Sequence, residues 1–267
     1  MRYTKMHGAG NEFIILENMR GEFNGQDSST LAQFLCSKNT GPGADGLIIV
    51  MPPENPEEDI RMLFYNADGT LGEMCGNGAR CIARYSADNG FAQDNENIRI
   101  TATAGMVFGR KICENRYEVR LNDPTFIDLH RVATVDGKEY ECAYVELGNP
   151  CIPHAVLFAE PERELGRKLR SSDAFPKGAN ISFVKLTGDN TAEAVTFERG
   201  VEDFTKACGT GCGSIASALT LMNIFHEGNI NIRMPGGELT VRLTRNGNII
   251  SDIYLTGGAE YVSEGEF

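Results

Sequence analysis

Met74-Cys75-Gly76-Asn77-Gly78 and Ala207-Cys208-Gly209-Thr210-Gly211 write one pattern twice: a cysteine inside a glycine turn that opens a helix of small residues. The match runs past the five residues, because Ile82-Ala83 and Ile215-Ala216 follow at one offset (208 − 75 = 133 and 215 − 82 = 133). Phe64 and Phe197 precede the two motifs with the same spacing, each in a strand-like segment. Downstream, Ile98-Arg99-Ile100-Thr101 and Ile230-Asn231-Ile232-Arg233 each lead to a glycine turn, near Gly105 and Gly237. The chain therefore reads as one α/β unit written twice, with one thiol at the same place in each copy. Chance duplication of the cysteine, both glycines and the following Ile-Ala is a poor explanation.

Outward from the motifs, the first copy predicts strands on either side of the Gly8-Ala9-Gly10-Asn11 turn and a helix over 29–37 with Ser29 as its N-cap. Strands follow at 47–51, stopped by Pro52-Pro53, and at 61–66, before the Cys75 helix running to about Asn89. Strands near 97–103, 106–112 and 117–121 complete this copy, and Asn122-Asp123-Pro124 reads as the linker. The second copy predicts strands at 125–135, 139–147, 181–186 and 192–199, with a helix over 160–170. The Cys208 helix runs to about Phe225 and is followed by strands at 229–234, 238–245 and 249–256, the last pair joined by an Asn246-Gly247 hairpin turn. Strands outnumber helices and most are hairpin-linked. The fold class is thus α/β of the α+β type: two domains, each a largely antiparallel sheet curled around a central helix. The domains divide as residues 1–121 and 122–255.

The 267 residues suffice for two such cores, and 41% hydrophobic with 23% charged residues is a globular composition. A net charge of −12 argues against a nucleic-acid partner and against an anionic membrane surface. No apolar run reaches the ~18 residues that span a bilayer. The N-terminus, Met1-Arg2-Tyr3-Thr4-Lys5-Met6-His7-Gly8, lacks the apolar core of a signal peptide, which implies a cytoplasmic location. There, structural disulfides are disfavoured. The eight cysteines contain no Cys-x2-Cys, so no metal site is expected, and Cys36, Cys113 and Cys142 read as small buried apolar residues.

A cysteine at a helix start meets free N–H groups and the positive end of the dipole, both of which lower thiol pKa. The same N–H groups, unobstructed at Gly76, Gly78, Gly209 and Gly211, can bind a carboxylate. Two such ends acting on one amino acid place Cys75 and Cys208 on opposite faces of its α-carbon. One removes a proton and the other returns one, inverting the centre, while the amides stabilise the developing enolate. This chemistry requires no cofactor. Gly8-x-Gly10 lacks the third glycine of a dinucleotide fingerprint, no P-loop is present, and Ser214 and Ser217 lack the elbow of a hydrolase nucleophile.

The chain closely resembles the diaminopimelate epimerases, cofactor-independent amino-acid racemases. The resemblance rests on both cysteine motifs, on Glu198-Arg199-Gly200-Val201, and on supporting matches at Met6–Phe13, Asn66-Ala67-Asp68-Gly69 and Pro235-Gly236-Gly237-Glu238. It implies pseudo-symmetric domains with the active site in the cleft between them, and a last segment, 256–267, returning to the first domain. The implied reaction interconverts LL- and meso-2,6-diaminopimelate, a step toward lysine and peptidoglycan. By matching motif, Cys75 and Cys208 become the acid/base pair, and Gly76, Asn77, Gly209 and Thr210 hold the reacting carboxylate. Asn11, Asn66, Asn180, Glu198 and Arg199 hold the far end, with His154 and Glu198 also tuning the thiols. The chain departs from the family where Cys151-Ile152-Pro153 separates Gly148-Asn149-Pro150 from His154, so that either Asn149 or Ile152 takes the usual asparagine position. That departure keeps open a racemase of another amino acid, such as histidine. A thiol redox or metal-binding protein is the remote alternative. Beyond the small-molecule amino acid, a homodimer is left open.

Overall fold

The computed structural model describes residues 1–23, 25–72, 74–148 and 151–267. In chain order its first part contains β1 (Arg2–Gly8), β2 (Asn11–Glu17), α1 (Ser28–Cys36), β3 (Gly46–Met51), β4 (Ile60–Asn66), β5 (Leu71–Gly72), α2 (Gly76–Asp88), β6 (Ile98–Ala102), β7 (Gly105–Cys113) and β8 (Arg116–Arg120). The next part contains β9 (Pro124–Val135), β10 (Lys138–Leu147), β11 (Ile152–Leu157), α3 (Arg163–Arg170), β12 (Asn180–Gly188), β13 (Thr191–Glu198), β14 (Asp203–Phe204) and α4 (Gly209–Leu221). It ends with β15 (Gly228–Met234), β16 (Gly237–Asn246) and β17 (Ile249–Gly258), and the chain closes with β18 (Glu260–Glu266). Two compact units result, Met1–Val119 with Gly257–Phe267, and Arg120–Thr256.

The first unit pairs its strands in the order β18-β1-β2-β3-β4-β6-β7-β8, with β5 also on β4. Only β2–β3 and β4–β6 in that series are parallel. The second unit repeats the order as β9-β10-β11-β12-β13-β15-β16-β17, with β14 on β13 and parallel pairs at β11–β12 and β13–β15. All four parallel pairs are joined across a helix, whereas most antiparallel pairs close through short turns. The mostly antiparallel α+β class is as expected, and each unit carries one central helix.

Sequence dictates why that helix is central. In α2 the small residues Gly76, Gly78, Ala79, Cys81 and Ala83 are buried, and the helix packs on β1, β2, β4, β6 and β7. In α4 burial runs almost unbroken from Gly209 to Thr220, against β9, β10, β11, β12 and β16. Small side chains let the sheet approach from several sides, which an ordinary amphipathic helix forbids. The outer helices are different. α1 covers Ile14, Leu16, Leu47 and Ile49, and α3 covers Tyr144, Ala155, Ile181 and Phe197. Strand β3 is covered on both faces and reads as a continuous apolar run, Gly46-Leu-Ile-Ile-Val50.

Three expectations change. Cys113, read as buried with Cys36 and Cys142, is exposed, whereas the other two are buried. Phe64 and Phe197 are not equivalent. Phe64 packs edge-on to Phe13 on the same strand face as Ile60 and Met62, while Phe197 meets a Cβ built on Gly166 of α3. The residue that approaches α4 is Thr196, 3.2 Å from a Cβ built on Gly211. A one-residue slip in a strand reverses the face, so equal sequence spacing misassigned the pair. Strand β11 was not foreseen; it pairs on both sides, and His154 sits opposite Asn180. Among the described residues no helix is long and apolar enough to cross a membrane.

Candidate active site

Each cysteine occupies the residue where its strand-derived loop becomes helix. Cys75 (φ −133°, ψ 110°) is the N-cap of α2 and Cys208 (φ −121°, ψ 105°) the N-cap of α4. At Cys75 the sulfur accepts the Gly78 N–H at 3.4 Å, so the thiol stands where an N-cap oxygen would. Glycine at the third helical position follows from crowding. A Cβ on Gly78 would lie 3.0 Å from Ile48 Cδ1, and one on Gly211 would lie 3.2 Å from Cys208 Sγ.

In the first unit the second helical residue, Asn77, reaches sideways and donates through Nδ2 to Asn11 Oδ1 at 2.8 Å. Its Oδ1 accepts from Arg80 Nη2 at 2.9 Å, and Arg80, wholly buried, also donates to the Gly76 carbonyl at 3.4 Å. Asn11 in turn donates to Asp45 at 3.3 Å, and Asp45 also accepts the Glu12 N–H. Gly8 makes this possible: a Cβ there would stand 2.7 Å from the Asn77 carbonyl oxygen. The structure thus brings Cys75, Gly76, Asn77 and Asn11 together. Asn66, exposed at the end of β4, bonds its own turn through Thr70 Oγ1 at 2.9 Å.

In the second unit the corresponding residue, Thr210, also reaches sideways. Its Oγ1 lies 3.6 Å from Cys208 Sγ and 3.1 Å from His154 Nε2. Asn180 Nδ2 is 3.5 Å from the same imidazole nitrogen, and Asn180 Oδ1 accepts the Arg199 N–H at 2.8 Å. Arg199 is exposed, and its Nη1 donates to the Lys177 carbonyl at 2.8 Å. Glu198 accepts from Thr205 Oγ1 at 2.5 Å and also contacts the Cys208 thiol. Gly209, Thr210, Cys208, His154, Asn180, Glu198 and the Arg199 backbone are therefore gathered at one helix start. Asn149 lies outside the described residues; Ile152 is half-buried and pairs with Leu147.

Electrostatics correct one expectation. The helix start was expected to lower thiol pKa, yet burial and the neighbouring Glu198 charge push Cys208 well above its ordinary value. The Gly211 N–H and Thr210 hydroxyl act in the opposite direction and lose. Desolvation of a 4% exposed sulfur outweighs a terminal dipole. Burial likewise raises the Glu198 carboxyl. Burial, aided by the Arg199 charge, lowers His154 to about 3, so its ring is neutral near pH 7. Sequence reasoning passed over Thr196, Thr205, Arg80, Asp45 and Lys177. Of these, Arg80 was findable, three and four residues after Asn77 and Gly76 on one helix face.

The comparisons with known proteins agree with this organisation. The family model described as diaminopimelate epimerase matches residues 3–127 and 151–262. The diaminopimelate epimerase of Caldanaerobacter subterraneus is 34% identical, with 100% of this chain and 99% of the relative covered. That of Aquifex aeolicus is 32% identical over 99% and 97%, and that of Archaeoglobus fulgidus 33% over 98% and 95%. Among solved structures, a PhzF-family phenazine biosynthesis protein from Bacillus anthracis superposes with a TM-score of 0.77 at 15% identity, covering 100% of this chain and 98% of its own. A probable proline racemase from Agrobacterium radiobacter gives 0.72 at 13%, covering 100% and 92%. At those identities the structural likeness speaks for the fold alone. The sequence matches, which span the whole chain and both cysteine motifs, place the chain in the diaminopimelate epimerase family.

Proposed function

We propose that this chain interconverts LL- and meso-2,6-diaminopimelate by two-base proton transfer at one α-carbon. The observation that supports this most is the repeated helix start: in each unit a cysteine caps the helix and glycines bare the first N–H groups. One sulfur, as thiolate, takes the α-proton, and the electron pair of the breaking C–H bond moves into the substrate carboxylate. The carboxylate, held by the amides of Gly76, Asn77, Gly209 and Thr210, carries that charge as an enolate. The other thiol gives its proton to the opposite face, which re-forms the C–H bond with inverted configuration. The raised pKa of Cys208 favours its protonated form in the ligand-free protein.

For the far end, Arg199 offers guanidinium donors suited to a carboxylate, with Asn11, Asn66 and Asn180 as amide partners. Glu198 sits beside Cys208 and Thr205, which suits tuning of the thiol better than pairing with a distant ammonium. The reading requires both sulfurs at opposite faces of one carbon. Incubating LL-diaminopimelate in deuterated water with reduced protein should load deuterium at the α-position and yield the meso isomer. Cys75→Ser and Cys208→Ser should each lower turnover by about 10³-fold or more, the scale of a lost acid–base group. No deuterium uptake would remove this substrate, and full turnover in either variant would remove the mechanism.

The interruption Cys151-Ile152-Pro153 favours testing a second reading, a racemase of another amino acid such as histidine. A panel of L-amino acids in deuterated water separates the two by which α-hydrogen exchanges.

A further inference from the structure

We infer that Lys177 is the positioning residue for Arg199: its carbonyl takes the guanidinium, while its ammonium, held by Glu146 and Cys151, pins the turn that bears that carbonyl. This inference rests on the reading of Arg199 as the clamp for the substrate's far carboxylate.

Arg199 follows the last residue of β13 and is exposed, a setting in which a long side chain ordinarily samples many rotamers. Here its stem lies against Gly178, whose would-be Cβ stands 3.4 Å from Arg199 Cδ, and its Nη1 donates to the Lys177 carbonyl at 2.8 Å. That bond leaves the Nε–Nη2 edge of the guanidinium, the pair of donors that meets a carboxylate side by side. The charge is also unspent. Glu202, the acid on the same turn as Arg199, is taken by Arg170 at 2.8 Å and by the Gly200 N–H at 3.0 Å. Among the described residues no carboxylate forms an ion pair with Arg199.

The Lys177 carbonyl is fixed because its turn is fixed at three places. Phe175, Pro176, Lys177 and Gly178 form a β-turn closed by the Gly178 N–H on the Phe175 carbonyl at 2.7 Å, with proline second and a left-handed glycine (φ 68°) last. The start of the turn is buried, where Phe175 stacks on Tyr144 with ring centroids 5.5 Å apart. The tip is charged. Lys177 Nζ reaches Glu146 Oε2 at 3.3 Å and Cys151 Sγ at 3.3 Å. Glu146 has a side chain only 17% exposed and also accepts the Tyr144 hydroxyl at 2.7 Å, so the ammonium meets a carboxylate already held in place. Cys151 belongs to the Cys151-Ile152-Pro153 interruption before His154. The departure from the family pattern thus supplies one of the two partners of the ammonium, and it bears on the far end of the substrate through Lys177.

Two readouts separate positioning from general stability. The first uses substrate-free protein labelled with nitrogen-15, in which the Arg199 Nε–H signal is identified by its absence in Arg199→Lys. In the wild type that group should relax like the backbone. Lys177→Met keeps the carbonyl and most of the stem but removes the ammonium, and should make the signal relax like that of a free side chain. Lys177→Arg should restore the wild-type behaviour, and Cys151→Ala should loosen the group to a smaller degree. The second readout is steady-state turnover of LL-diaminopimelate. Lys177→Met should raise KM about fivefold, the upper end for a partly exposed ion pair, and lower kcat by less than it raises KM. If the wild type exchanges no α-deuterium, the substrate reading falls, and the NMR comparison still decides the positioning. An Arg199 Nε–H as rigid in Lys177→Met as in the wild type overturns the inference. So does an unchanged KM in a Lys177→Met protein whose Arg199 has loosened.

Discussion

His154 is the residue whose setting most changes its chemistry. A histidine is ordinarily half-charged near pH 6.5, but this one is wholly buried and held neutral down to about 3. Because the folded pKa lies below the unfolded one, the unfolded chain binds the extra proton between those values. His154 therefore costs no stability above about pH 6.5, and its contribution is lost as the pH falls toward 3. Urea unfolding between pH 7 and pH 4 should show wild-type stability falling with acid more steeply than His154→Gln. The difference should approach about 1.4 kcal/mol per pH unit, one proton's worth. Glu198 runs the other way: its raised pKa makes the folded state bind more protons, so its contribution fades as the pH rises through its folded value. Parallel slopes for wild type and His154→Gln would mean that the ring is hydrated and its burial is not what sets its charge.

At the scale of elements, each helix start depends on how closely a strand can approach it. Gly8 lets β1 pass the first turn of α2 with 2.7 Å between its would-be Cβ and the Asn77 carbonyl oxygen. The obstacle is backbone, which cannot swing aside. Gly8→Ala should push the helix start away, cost about 1–3 kcal/mol in thermal or urea unfolding, and reduce turnover more than stability alone explains. Gly247, in contrast, has open space around its would-be Cβ and matters only through its φ of 61°. An alanine at Gly8 that leaves unfolding and turnover unchanged would show that α2 is not held by this contact.

The whole molecule uses one architecture twice and makes the halves chemically unequal. The first unit surrounds its helix start with amides and a buried arginine, the second with a hydroxyl, a neutral imidazole and a buried carboxyl. Under the proposed mechanism one sulfur holds a proton while the other lacks it, and the two exchange those states when the reaction runs in reverse. If both sulfurs serve one carbon, oxidation should also join them. Treatment with diamide is expected to abolish turnover and yield a Cys75–Cys208 disulfide by peptide mapping, and dithiothreitol should restore both. Bound substrate should slow the loss. Inactivation that maps to exposed Cys113 or half-buried Cys151 instead would count against the two-thiol arrangement.

What the sequence determined by itself is local. The doubled Cys-Gly-x-Gly pattern located both thiols and both central helices, since helix starts are written in short-range signals of glycine and small residues. Hairpin turns at Pro235-Gly236 and Asn246-Gly247 located the strands around them. Tertiary structure alone decided which strand face each residue joins, as with Phe64 against Phe197, because pairing register is set across the sheet and not along the chain. It also decided that His154, on the unforeseen strand β11, meets Thr210, 56 positions later. Finally, it reversed the expected shift at Cys208, because a helix dipole is visible in sequence whereas desolvation arises only when the rest of the fold closes over the sulfur.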